Sequence, residues 1–346
     1  MSMRRVIIRT TAVGTARRTA LTRAAAAATS LLFVVLAACG SSSKSTSASA
    51  SVSTTSTTQA AAATFPVTVA PANGSVTIPA KPVRILSLSA TATQMLYAIG
   101  AGTQVVGVDK YSVDPPNAPK TTFDGTEGAE SYVSLHPDLV IVAFDTGNKL
   151  AGQLSALKIP ALVLPPAKTV DDTYSQFALL GTATGHPTEA TQASSTIKKQ
   201  LDDIVSQVGT KAKGLTYYHE VDSTLYTATS KTFIGALYGR LGMVNIADAA
   251  DTATSGGYPQ LSPEYLIKSD PDFVFLSDTE CCKESAATFG ARPGFNVMKA
   301  VKQGHIVPLS DALASQWGTR VPELLRTIAD AVTKASTTTT TTTTTK

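Results

Sequence analysis

The stretch Glu130-SYVSLH-Pro137-Asp138-Leu139-Val140-Ile141-Val142 aligns without a gap to Glu264-YLIKSD-Pro271-Asp272-Phe273-Val274-Phe275-Leu276. Each copy reads as a short helix, a Pro-Asp break and a run of apolar residues without polar alternation. Such a run fits a strand buried on both faces, as in a parallel sheet covered by helices. In both copies the glutamate stands seven residues before the proline, at the exposed start of its helix, where a carboxylate suits the positive helix end. A module that occurs twice predicts two related lobes, each presenting one equivalent acid. Two generic αβ units with solvated glutamates would leave the same trace, so the repeat alone does not choose between these readings.

Outward from the repeat, short apolar runs alternate with segments of helical character, which predicts an α/β fold rather than a sandwich. In the first half, strands are expected at residues 84–89, 105–108, 138–142 and 161–164, with a helix over 92–99 that stops at Gly100. The second half offers strands at 215–219, 272–276 and 306–308, and helices at 232–241 and 321–332. Between the halves, residues 187–208 place Ile197, Leu201, Ile204, Val205 and Val208 at helical spacing. A helix of that length spans about 30 Å, roughly the height of a lobe. The expected architecture is therefore two Rossmann-like lobes of parallel-type sheet joined by one long backbone helix, with a ligand cleft between them. A single packed helix should permit only small closure. The boundaries follow: an N-terminal lobe over 65–170, linking helices over 171–210 and a C-terminal lobe over 211–335.

Both ends of the chain differ in character. Its 346 residues are 43% hydrophobic and 6% aromatic, enough to bury one large core or two modest ones. The formal charge of +4 invites a nucleic-acid reading, but six arginines precede Cys39 in a stretch without one acid. Without them 23 basic residues face 25 acidic ones, a balance of −2 that does not attract phosphate backbones. Residues 1–38 run from this basic opening into an apolar segment, 24–38, too short to span a bilayer comfortably. It reads as a secretory signal, with a true anchor helix as the alternative. Its end, Leu36-Ala37-Ala38-Cys39, resembles the lipobox of bacterial lipoproteins, in which the cysteine takes lipid and becomes the first residue. Residues 39–64, rich in Ser, Thr and Ala, are expected to form a disordered tether reaching about 25 to 30 Å. The Thr-rich tail, 336–346, is expected to be disordered as well.

Three segments together resemble the helical-backbone solute-binding proteins of ABC importers, the group that includes cobalamin-binding and ferric-siderophore-binding proteins. They are Arg84-ILSLSATATQMLYAIGAGTQVVGVDKYSVDPPNAP, the continuation through Glu130 and Pro137-Asp138-Leu139-Val140, and Tyr258-Pro259-Gln260-Leu261-Ser262-Pro263-Glu264. The likeness covers about residues 80–334. It implies an extracytoplasmic binding component that delivers a ferric siderophore, cobalamin, haem or similar metal chelate to a permease dimer with its ATPase subunits. No cofactor of the protein's own is expected, and a monomer is. In the family one glutamate per lobe pairs with permease arginines, and those positions fall on Glu130 and Glu264. A pseudo-twofold pair of acids suits a twofold partner.

Ligand contacts are expected at strand ends between the lobes. On the first lobe the candidates are Ser89, which doubles as a helix cap, and the aromatics Tyr111 and Phe123, whose faces suit a flat chelate. On the second they are Tyr258, Trp317 and Arg320, the last able to fork onto an anionic group. His219, with Glu220 and Tyr226, follows the strand that opens this lobe. The adjacent Cys281 and Cys282 leave a vicinal disulfide, free thiols or a soft-metal contact open. No nucleophile elbow, P-loop or zincin helix supports an enzyme. A free zinc or manganese receptor would need a cluster of ligands that His136, His186, His219 and His305 do not form in sequence. A sensing lipoprotein without transport would have no need of the paired glutamates.

Overall fold

The computed structural model describes residues 64–343, so the signal segment, Cys39 and nearly all of the tether lie outside the described residues. A short antiparallel pair, β1 (Val67–Val69) and β2 (Val76–Ile78), precedes the first lobe. That lobe comprises β3 (Ile85–Leu88), α1 (Ala90–Ala98), β4 (Val105–Val108), α2 (Ala129–Tyr132), β5 (Leu139–Val142), α3 (Lys149–Ala156) and β6 (Ala161–Val163). Helices α4 (Val170–Thr184) and α5 (Pro187–Val208) follow. The second lobe begins with β7 (Thr216–Glu220), α6 (Phe233–Arg240), β8 (Val244–Asn245), α7 (Pro263–Ser269) and β9 (Phe273–Leu276). It is completed by α8 (Ala286–Gly290), α9 (Lys299–Gln303), β10 (Ile306–Pro308), α10 (Asp311–Ala314) and α11 (Val321–Thr343).

Each lobe holds a parallel sheet, ordered β4-β3-β5-β6 in the first and β8-β7-β9-β10 in the second. The orders correspond strand for strand, so β3 matches β7 and β5 matches β9. The sequence repeat is α2 with β5 and α7 with β9, the same two elements in each lobe. β5 and β9 are buried at every position, as their unbroken apolar runs require.

The Pro-Asp pair has a structural reason. The residue before each proline, His136 or Asp270, takes the left-handed conformation, with φ of 45° and 41°, a region that His, Asn and Asp tolerate better than most residues. The aspartate that follows ties its strand to the lobe's first strand. Asp138 accepts from the amides of Val83 and Arg84 at 2.8 and 2.9 Å. Asp272 accepts from the Thr216 amide and hydroxyl at 2.8 and 2.9 Å.

The connection is broader than a lone rod. α5 matches the expected span and buries Ala190, Ile197, Leu201, Ile204 and Val208, but both α4 and α11 pack along it. An amphipathic helix must cover its apolar stripe, and these two supply the cover. Gly181 lets α4 and α5 approach closely, since a Cβ there would collide with the Ala190 side chain and stand 2.9 Å from the His186 carbonyl. One apolar core runs through this layer from Ile85 and Leu139 to Tyr217, Phe273 and Leu325. Separate clusters fill the outer face of each sheet.

The tail departs from expectation, because α11 continues to Thr343. Extending an existing helix costs far less than nucleating one. The hydroxyls of Thr333 and Ser336 bond back to the carbonyls of Ala329 and Val332, each at 2.9 Å. Among the described residues no helix is long and apolar enough to cross a membrane.

Candidate ligand cleft

β3, β4 and β5 end side by side, and the residues just past their ends line a cavity of about 600 Å³. Its first-lobe wall includes Ser89, Asp109, Tyr111, Asp124 and Phe144, and Ala312, Ser315, Gln316 and Trp317 close it from the segment after β10. The two walls touch where Gln94 of α1 donates to Gln316 at 2.6 Å. Ligand sites of open parallel sheets lie at the carboxyl ends of the strands for this reason: loops there converge while the strands hold them rigid.

Ser89 has both roles expected of it. Its hydroxyl accepts from the Ala92 amide at 3.2 Å, capping α1, and it faces the cavity. Tyr111 is 58% exposed over the cavity with the Lys110 ammonium 5.1 Å from its ring. Trp317 is half-buried on the opposite wall; its indole donates to Gln176 at 2.9 Å, and its carbonyl accepts from Thr173 at 2.9 Å. Both partners belong to α4, so the linking helices hold this wall.

The remaining candidates lie elsewhere. Phe123 packs edge-on to Tyr132, with centroids 5.0 Å apart, in the first lobe's outer core. His219 is fully buried, its Nδ1 3.0 Å from the Tyr238 hydroxyl; β7 aims it at the shared core, not the cleft. Arg320 forks onto Glu323 one helical turn on, at 2.8 and 2.9 Å, and is not among the residues that line the cavity. Tyr258 and Tyr226 are about half exposed on loops of the second lobe and do not line the cavity. Glu220 is fully buried against Arg292. Cys281 and Cys282 are free, exposed thiols rather than a disulfide. The loop holding them is set by Asp311, which accepts from the Cys281 amide at 2.7 Å. A hydrogen bond with Cys282, then burial and Asp311, push the Cys281 thiol up to about 12.

Sequence reasoning missed Asp109, Asp124, Phe144 and Gln316. Asp109 follows β4 directly and Phe144 lies just past β5, so the strand-end rule would have found them. Asp109 is buried and accepts from the Ser112 hydroxyl at 2.7 Å. Burial raises its pKa, against the pull of Ser112. Asp124 goes the other way, lowered by the Thr126 hydroxyl and amide and by Lys110 at 3.2 Å. Phe144, 73% exposed, offers an apolar face to whatever enters. Among the described residues, no Lys, Arg or His lines the cavity.

Glu130 and Glu264 are both exposed in the first turns of α2 and α7. Among the described residues neither forms an ion pair within the chain.

Twin parallel sheets, a helical layer joining them and a strand-end cleft define a two-lobed binding protein with a helical backbone. Residues 85–313 match the periplasmic binding protein family, and the chain belongs to that family. Its members are binding proteins, not enzymes, and act outside the cytoplasmic membrane as substrate-binding components of ABC importers. Among relatives, the chain is 29% identical over 278 residues to the cobalamin-binding protein of Halobacterium salinarum, covering 78% of this chain and 74% of that one. It is 28% identical over 278 residues to the ABC transporter substrate-binding lipoprotein YvrC of Bacillus subtilis, covering 78% and 86%. A solved periplasmic solute-binding protein from Staphylococcus epidermidis, described as a possible iron-binding protein, superposes with a TM-score of 0.64 at 26% identity, over 73% of this chain and 99% of the other.

Proposed function

We propose that the chain captures a neutral or cationic metal chelate, a corrinoid first, and presents it to a permease dimer through Glu130 and Glu264. The observation that carries the cargo class is the character of the cleft. Its wall holds two carboxylates, Asp109 and Asp124, with aromatic faces from Tyr111, Phe144 and Trp317; the nearest cation, Lys110, stands behind the lining and is paired with Asp124 at 3.2 Å. An anionic catecholate chelate, or haem held by its propionates, would call for arginine or lysine on the wall. A corrinoid, amide-rimmed and without net negative charge, instead needs aromatic walls and scattered polar groups. The name of the Halobacterium relative agrees with this reading. A cationic ferric hydroxamate is the second reading, favoured by the same two carboxylates.

The docking role rests on correspondence. Glu130 and Glu264 occupy matching first turns before matching strands, which is the placement a twofold partner can read. The lipid anchor at Cys39 would keep the loaded protein near that partner.

One experiment tests both parts. Wild type and Glu130→Arg/Glu264→Arg are titrated calorimetrically with cyanocobalamin, ferrioxamine B and a ferric tris-catecholate, and then assayed for uptake with the cognate permease. Expected are corrinoid affinity unchanged by the double reversal and uptake reduced at least tenfold. Tight binding of the catecholate alone overturns the cargo class, and loss of affinity in the variant moves the acids into the binding site.

A further inference from the structure

Outside the cleft, Glu220, Asp278 and Glu284 bring one carboxylate oxygen each to within 4.8 Å of one another. Glu220 ends β7, Asp278 lies just past β9, and Glu284 follows on the same loop. Alternation along β7 puts Glu220 on the face of Tyr218, whose hydroxyl donates to it at 3.2 Å, and opposite His219. Asp278 is fully buried, and neither of its side-chain oxygens has a hydrogen-bond partner. A buried carboxylate left in that state is among the costlier features a fold can carry. We infer that this cluster is a binding site for a hard divalent cation, calcium by preference.

Charge, donor type and spacing converge on that assignment. Arg292 bonds Glu220 through both arms at 2.8 and 2.6 Å and approaches Glu284 at 3.2 Å. Its guanidinium is fixed over the rings of Phe289 and Phe295, at 4.8 and 5.7 Å. One cation against three carboxylates leaves two negative charges, which a divalent ion balances. The donors are all carboxylate oxygens, without imidazole or thiolate, which selects hard ions over zinc or copper. Calcium–oxygen distances of about 2.3 to 2.6 Å place opposed ligands about 4.6 to 5.2 Å apart, whereas magnesium draws them to about 4 Å. A separation within 4.8 Å admits either ion, but magnesium keeps several waters of its own, for which the buried Glu220 and Asp278 leave little room, so calcium is preferred.

The site would also stiffen one rim of the cleft. The Asp278 carbonyl accepts from the amides of Cys282 and Glu284, both at 3.3 Å, so the loop folds back on it. Asp311 holds the same loop through the Glu280 amide at 2.9 Å, and its neighbour Ala312 lines the cavity.

The purified protein, stripped with a chelator and dialysed, is titrated calorimetrically with calcium and then magnesium chloride, and its thermal unfolding is followed with each. Expected are saturable binding of one calcium, tighter than magnesium, and a rise in Tm of about 5 °C at a hundredfold excess over Kd. Asp278→Asn keeps the shape while removing one charge, and Glu284→Gln does the same at the loop. Each should weaken calcium binding at least tenfold while keeping a folded circular-dichroism spectrum; should Asp278→Asn fail to fold, Glu284→Gln carries the test. Absence of saturable calcium binding to wild type, tighter binding of magnesium, or an unchanged calcium response in the folded variants overturns the assignment. None of these readouts involves cargo or permease, so they stand apart from the proposed function.

Discussion

His219 sits next to last in β7, fully buried, with Nδ1 against the Tyr238 hydroxyl at 3.0 Å and no hydrogen bond to Nε2. Burial lowers its pKa to about 4, so the folded protein holds it neutral. Unfolding frees it to bind a proton at its ordinary value near 6.5. Between about 6.5 and 4 the unfolded chain therefore binds more protons, and this residue's contribution to stability falls as pH falls, by about 3 kcal/mol over the window. Replacing it by Phe removes the titration. The stability difference between wild type and His219→Phe, from denaturant melts at pH 7.5 and 4.5, should shift toward the variant at the lower pH; a constant difference would mean that folding leaves the His219 pKa unshifted. A similar calculus misled the reading of Arg320. An arginine at a helix start looks free in sequence, yet Glu323 one turn along completes its fork.

At the scale of elements, the Pro-Asp module explains why the repeat could be recognised at all. Its proline ends one helix, its aspartate clamps two neighbouring strands, and its apolar run needs cover on both faces, so each residue type is fixed by local physics. Asp272 shows the clamp at its fullest, with the Thr216 amide and hydroxyl and the Lys299 ammonium at 2.8 Å. Asp272→Ala should cost about 2 to 3 kcal/mol, since it strands a part-buried amide and the Lys299 ammonium as well as removing bonds. Urea denaturation reads this as a lower midpoint with an unchanged m-value; a loss under 0.5 kcal/mol, on the order of a surface change, would show the clamp to be incidental. Strands β4 and β10 and helix α5 were legible to the residue. β8 was not, because two residues, one of them exposed, carry no periodicity. Helix α4 was expected only within the linking helices over 171–210, without bounds of its own, because its small, mixed residues blur the stripe although the capping box of Thr169 and Asp172 was there to read.

For the molecule as a whole, the decisive feature is that the core does not stop at the lobe boundary. Residues of both sheets join one apolar cluster through α4, α5 and α11, so neither lobe can unfold without exposing the other's underside. Calorimetry should therefore record a single transition whose calorimetric and van't Hoff enthalpies agree; two resolved transitions would mean the lobes are independent. The same packing restricts cleft closure to small adjustments of helices already in contact. What the sequence by itself determined were the twin lobes, all their strands but β8, the linking helix and the matched glutamates, because periodicity, breaks and repeats are properties of neighbours along the chain. Only the tertiary structure decided which polar residues meet the cleft. Ser89, Tyr111 and Trp317 line it while Phe123, His219 and Arg320 do not, and Asp109, Asp124 and Phe144 entered unannounced. A side chain's partner is set by which loops converge in space, and residues more than two hundred positions apart, such as Gln94 and Gln316, carry no mark of that meeting in their order.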